Sequence, residues 1–144
     1  MTALVDTNVL VYRFDPRNTA KQRIARDLLR EGIERGTLRV PHQAVVEFVQ
    51  AVTRPLSRGK ASLLERPDAL REAEELLAQF EVLYPTESMV RTAIRAVATY
   101  RLGWLDAHMW AYAEHYGLEE IVSEDFSDGQ LIGTVRIRNP FKTS

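Results

Sequence analysis

The chain is 144 residues long, 45% hydrophobic and 27% charged, a length and composition suited to one domain with its own core. Nineteen Lys+Arg against twenty Asp+Glu leave a net charge of −1, which excludes a basic coat for nucleic acid and an acidic tail, so any polyanion must be held locally. The absence of cysteine excludes disulfides, thiolate metal sites and cysteine nucleophiles. The opening Met1–Asp6 reaches an acid with no basic lead, unlike a secretory signal, and no apolar run approaches the roughly 20 residues of a membrane span. The expectation is a soluble cytoplasmic protein, a single domain over residues 1–144, with no membrane attachment.

Ala3-Leu4-Val5 is a continuous apolar run of the kind a strand buried on both faces carries, and it stops at Asp6-Thr7-Asn8. From Thr19 to Arg35, Ala20, Ile24, Ala25, Leu28 and Leu29 recur at helical spacing, with Arg23, Arg26, Arg30, Glu31 and Glu34 opposite them and Gly36 placed to end the helix. Leu38-Arg39-Val40 predicts a second strand, after which Pro41 opens a helix bearing Ala44, Val45, Val46, Phe48, Val49 and Val52. Residues Arg54 to Lys60 mix Pro, Ser and Gly with positive charge and predict a loop. Pro67 precedes a helix carrying Ala69, Leu70, Ala73, Leu76, Leu77 and Phe80; Glu81 to Tyr84 predicts a third strand; Met89, Ala93, Ala96, Val97 and Tyr100 stripe the next helix. Beyond Gly103, a helix from about Asp106 to Tyr116 ends at Gly117, Ile121-Val122 gives a fourth strand, and Val135-Arg136-Ile137 gives the last. Alternating strands and helices predict an α/β fold, a mostly parallel sheet covered by helices on both faces.

In an open parallel sheet, ligands gather at the carboxyl ends of the strands. Asp6 directly follows one strand, and Ser123-Glu124-Asp125-Phe126-Ser127-Asp128 follows another. Both positions also suit helix caps and turns. Asp106 lies near a helix start on the stripe of Met109, Trp110 and Ala113, which aims it inward. Converging carboxylates repel one another and raise one another's pKa unless a proton or a divalent cation neutralises them, and all-oxygen donors suit Mg²⁺ or Mn²⁺ better than zinc. Such a site performs metal-assisted phosphoryl transfer. Glu47 is a fourth candidate with two readings: a stripe of Val45, Phe48, Val49 and Val52 leaves it in solvent, whereas a stripe of Ala44, Glu47, Phe48 and Ala51 sets it over the sheet.

Leu4-Val5-Asp6-Thr7-Asn8-Val9-Leu10 resembles the opening motif of PIN domains, an apolar strand followed by Asp, Ser or Thr, and Asn. Val46-Glu47-Phe48 is similar to the family's helical glutamate, Leu105-Asp106-Ala107 to its Asp-Ala pair, and Ile121 to Phe126 to its late strand ending in an acid. The order and spacing of all four motifs fit the family. The closing Asp128-Gly129-Gln130 and Val135 to Phe141 resemble the tail of VapC-type bacterial toxins. The resemblance implies an α/β/α sandwich and a Mg²⁺- or Mn²⁺-dependent endoribonuclease that cleaves RNA with metal-activated water, leaving 5′-phosphate ends. It implies Asp6, Glu47, Asp106 and Asp125 as the catalytic, metal-holding acids, with Thr7, Asn8 and Ser123 orienting them. Glu124 before Asp125 and the later Asp128 depart from the commoner late motif; Asp125 is favoured over Asp128 as ligand. The resemblance further implies a homodimer neutralised by an antitoxin protein. An acidic centre needs a basic rim to receive RNA, and Arg13, Arg17, Arg54, Arg58 and Lys60 are the candidates.

His42, His108 and His115 read as surface residues, and Trp104 and Trp110 as core. Two other functions compete. A haloacid-dehalogenase-like phosphatase also starts from a strand-end Asp but requires a second acid two residues on, where this chain has Asn8. A non-catalytic interaction module would keep the acids as caps and bind no Mn²⁺.

Overall fold

The computed structural model of the chain describes residues 1–142. Its elements are β1 (Ala3–Val5), α1 (Thr7–Tyr12), α2 (Thr19–Arg35), β2 (Leu38–Pro41), α3 (His42–Thr53), α4 (Arg66–Gln79), β3 (Glu81–Leu83), α5 (Glu87–Tyr100), α6 (Trp104–His115), β4 (Glu120–Val122), β5 (Leu131–Ile132) and β6 (Val135–Arg138). They form a six-stranded sheet of order β3-β2-β1-β4-β6-β5, parallel throughout except where β5 runs antiparallel to β6. The expected α/β sandwich is therefore the fold.

Strand alternation divides the core into two layers. In β1, Ala3 and Val5 face α1 to α4, while Leu4 faces α5 and α6; in β4, Val122 and Ile121 divide in the same way. On the first face, Phe48, Leu10, Leu29 and Leu76 are fully buried, each contributing roughly 1.5–3 kcal/mol. Glycine at position 32 seats α2 against β2, since a Cβ there would lie 2.2 Å from Leu38 Cδ1.

β1 is the pivot of the sheet. It pairs with β2 on one side and with β4 on the other, in the register Val5↔Val122. The polar residues following β1 and β4 therefore emerge side by side at one end of the sheet. Asn18 caps α2 by accepting from the Lys21 N–H at 3.0 Å, and Gly36, which the sequence places at its end, closes it in the left-handed conformation at φ 65°.

An unpredicted helix appears, and other local expectations change. The segment Thr7–Tyr12 is a helix, started by the Asp6 side chain accepting from the Thr7 N–H. The helix bearing Asp106 begins two residues earlier than predicted, at Trp104. Trp110 is core, its indole N–H donating to the Ile132 carbonyl at 3.0 Å, but Trp104 is 56% exposed because it occupies the first turn of α6, beyond the covered part of that helix.

Candidate functional site

Asp6 is the innermost acid, only 5% exposed. Its Oδ1 accepts from the Thr7 N–H at 2.7 Å, and its Oδ2 accepts from the Ser123 hydroxyl at 2.6 Å, which joins the ends of β1 and β4. Ser123 Oγ accepts in turn from the Asp125 N–H at 3.0 Å, and Asn8 Nδ2 donates to Asp125 Oδ1 at 3.0 Å. Glu47 arrives from α3 on the other side: Thr7 Oγ1 donates to its Oε2 at 2.7 Å, and Gln43 Nε2 donates to its Oε1 at 2.9 Å. The buried line of α3 is Ala44, Phe48 and Val52, which draws on both predicted stripes, and Glu47 sits half-buried on its flank. Gln43 also reaches the Leu105 carbonyl at 3.3 Å, linking α3 to the turn of α6 that holds Asp106.

Burial pushes the Asp6 carboxyl up to about 7, against the hydrogen bonds of Ser123 and Thr7, and the charges of Asp125 and Glu47 add to the rise. Asp106 is also raised, first by burial and then by Asp125 and Glu47. Asp125 and Glu47 are thus common electrostatic neighbours of Asp6 and Asp106. The four acids come from four separate places in the chain: the end of β1, α3, the first turn of α6 and the loop after β4. Among the described residues no Lys, Arg or His pairs with any of them. The hydrogen-bond partners of Asp6, Glu47 and Asp125 are hydroxyls, amides and backbone N–H groups.

That donor set fits a hard divalent cation. Oxygen-only donors, carboxylates without counter-charges and a buried Asp that resists ionisation all describe a site that gains from positive charge. In the conformation seen, no three His, Asp or Glu side chains among the described residues close on a common ion position. Thr7, Ser123, Asn8 and Gln43 hold the carboxylates on hydrogen bonds instead.

Asp128 lies elsewhere. Its Oδ1 accepts from the Asn139 N–H at 2.8 Å and fastens the chain beyond β6. The basic candidates are not drawn into the cluster. Arg13 is half-buried with its guanidinium 5.1 Å from the centre of the Phe14 ring, and burial lowers its pKa against the opposing pull of Glu72. Arg17 pairs with Asp15 at 2.8 Å and shares a recess of about 510 Å³ with Leu56, Ser57, Lys60 and Ala61. Arg54 and Arg58 stand exposed on the same loop. His42 and His108 are half-buried and line a groove of about 380 Å³ that also holds Glu47, Val46, Trp104 and Leu105, whereas His115 is exposed. Gln43 escaped the sequence reading, although its position four residues before Glu47 puts it on the same helix face.

Comparison with known proteins identifies the family. Residues 3–127 match the PIN domain. The chain belongs to the PIN domain family. Several solved toxin–antitoxin proteins share its fold. A toxin–antitoxin complex from Klebsiella pneumoniae superposes with a TM-score of 0.69 at 17% identity, covering 99% of this chain and 100% of that one. DNA-bound VapBC from Salmonella typhimurium gives 0.68 at 15% identity over 97% and 98%. VapC20 of Mycobacterium tuberculosis, described as a sarcin-ricin loop cleaving toxin, gives 0.65 at 14% identity over 86% and 90%. At these identities the likeness is one of fold. Curated proteins yield no match to the sequence. No helix among the described residues is long and apolar enough to cross a membrane.

Proposed function

We propose that this PIN domain is a single-domain, Mg²⁺- or Mn²⁺-dependent endoribonuclease, the VapC-like toxin of a toxin–antitoxin pair acting in the cytoplasm. The observation that carries the reading is the set of four acids, Asp6, Glu47, Asp106 and Asp125, gathered from separate elements at the strand ends with no cationic partner. A divalent cation in such a site supplies Lewis acidity, polarising a phosphodiester and making water a nucleophile near neutral pH. The chain's own residues do the rest. Asp6 gives up a proton that its burial would otherwise retain. Ser123 and the Thr7 N–H fix the orientation of that carboxylate, Thr7 Oγ1 and Gln43 fix Glu47, and Asn8 fixes Asp125. With Asp128 committed to Asn139, Asp125 is the acid of the late motif left to bind.

RNA enters past the Arg17–Lys60 recess and the exposed Arg54 and Arg58, whose charge offsets the acidic centre; Arg13, turned against Phe14, has the weakest claim on it. A second copy of the chain and an antitoxin complete the assembly. Supporting those partners are the antitoxin complexes formed by proteins of the same fold and the apolar side chains this domain leaves in solvent, Leu70 and Leu77 on α4 and Val46, Trp104 and Leu105 around the groove.

The test is incubation with structured and single-stranded RNAs in Mn²⁺, in Mg²⁺ and in chelator, beside Asp6→Asn, with the ends mapped. Metal-dependent cleavage that leaves 5′-phosphates and disappears in the variant is expected. A folded chain that cuts nothing and takes up no Mn²⁺ by calorimetry is instead an interaction module.

A further inference from the structure

The loop after β4 carries two adjacent acids with opposite fates. Asp125 is exposed beside Asn8, whereas Glu124 turns away toward α1 and α2. There the Tyr12 hydroxyl donates to Glu124 Oε1 at 2.5 Å, and Lys21 Nζ donates to Oε2 at 2.7 Å and to the Tyr12 hydroxyl at 3.2 Å. Glu124 keeps 19% of its side-chain exposure and Lys21 31%, so this ion pair is partly shielded, unlike the chain's helix-surface pairs. The Lys21 ammonium also lies 4.8 Å from the Tyr12 ring centre and 5.5 Å from that of Phe141, while Tyr12 and Phe141 meet edge-on at 5.0 Å. Phe141 is itself held by its N–H to Asn139 Oδ1 at 2.9 Å, and Asn139 by Asp128.

The consequence falls on Asp125. Backbone bonds from Ser123 N–H to the Arg138 carbonyl and from Gly129 N–H to the Ile137 carbonyl fix the two ends of the loop between β4 and β5, and between them side chains set the position of Asp125. Ser123 and Asn8 hold it from the cluster side, and the buried Phe126 holds the loop from below. Glu124 ties the loop on the side of α1 and α2, and it ends on Lys21, whose backbone is pinned by the Asn18 cap.

We propose that Lys21, with Tyr12, is a positioning residue for the acid cluster: by binding Glu124 it sets the loop that presents Asp125 and keeps a fifth carboxylate out of the site. The proposal rests on the metal-binding reading above only for its effect on cation affinity. Its effect on the loop is independent of metal. The C-terminal Asn139-Pro140-Phe141 segment gains a role as the floor of this latch.

The experiment compares the full chain with Lys21→Met, Lys21→Arg and Glu124→Gln by Mn²⁺ titration calorimetry, amide hydrogen exchange without metal, and thermal melting. Lys21→Met is expected to weaken Mn²⁺ binding by about tenfold, the loss typical of groups that orient metal ligands, and to speed exchange at residues 124–127, with α2 amides unchanged. Lys21→Arg should restore both; Glu124→Gln, whose single amide oxygen can accept from only one of Tyr12 and Lys21 and which loses the charge, should fall between. Wild-type exchange and affinity in Lys21→Met would overturn the proposal, as would loss of protection spread evenly over α1 and α2, which signals general unfolding. If the wild-type chain takes up no Mn²⁺, the nuclease reading fails, and the exchange data alone decide on the latch.

Discussion

Asp6 and Asp125 belong to one acid cluster, yet the chain treats them in opposite ways. Asp6 is built in: 5% exposed, bonded on both oxygens, between the ends of the two central strands. Asp125 stands in solvent on a loop and accepts one side-chain hydrogen bond, from Asn8. The buried acid carries the electrostatic strain, its pKa lifted to about 7, while the exposed one depends on ties supplied by other parts of the molecule. The acid cluster therefore has a rigid, costly half and an adjustable half, and substitutions in the two should separate stability from activity.

The sharpest break is Asp6→Asn. RNA cleavage should fall by about 10³-fold or more, since several kcal/mol of transition-state stabilisation pass through this site. The metal-free protein should at the same time be more stable at pH 8 than wild type, by roughly 1–3 kcal/mol, because a buried charge is gone. Paired cleavage rates and denaturant melts read both, and a variant that loses stability without metal contradicts the built-in strain.

The second effect is on pH. The folded Asp6 carboxyl titrates near 7 and the unfolded one near its ordinary 3.8, so between those values the folded chain holds a proton that the unfolded chain has released. Without metal, stability should rise as pH falls from about 7 to about 4, by on the order of a few kcal/mol, with Asp106 acting in the same direction. Asp15, whose carboxyl Arg17 holds below its ordinary value, acts oppositely and costs stability only below about pH 4. Saturating Mn²⁺ should flatten the upper part of this curve and release a proton near neutral pH, measurable by calorimetry in two buffers.

Smaller still is Ser123→Ala. It removes the hydroxyl that joins Asp6 to the Asp125 N–H and should cost roughly 1–3 kcal/mol in chemical melts. Smallest is Asp125→Asn without metal, expected within about 0.5 kcal/mol of wild type because the side chain is exposed. The same change should remove most of the cleavage activity. Equal stability losses at Asp6 and Asp125 would erase the distinction between the two halves.

The sheet was legible because its strands are short apolar runs with abrupt polar ends, and α2 because its apolar residues recur at helical spacing and Gly36 marks its end. Helix α1 was not: Thr7-Asn8-Val9-Leu10-Val11-Tyr12 is too short for a period to develop and is rich in β-branched residues, so its helical state comes from the Asp6 cap and from packing on α3. Strand β5 is two residues long and exists only as the partner of β6. Of the candidate site, the acids could be placed from strand ends and motif order, but Glu47 could not be fixed by periodicity, since α3 packs against both α1 and α4 and covers more than one stripe. The ties to Gln43 and Lys21 span 62 and 103 residues and leave no local trace in the sequence.

The pairing of β1 with β4 has a further consequence, in the order in which the chain is made. Ser123 lies 117 residues beyond the Asp6 it binds, so β1 leaves the ribosome early and waits at an unfinished sheet edge for its neighbour. Until the strand bearing Ile121 and Val122 arrives, Asp6 has no Ser123, and a product of interrupted translation ending there holds three acids of the four. Asp6 therefore gains its Ser123 bond, and the cluster its fourth acid, only when β4 and the loop after it have been made.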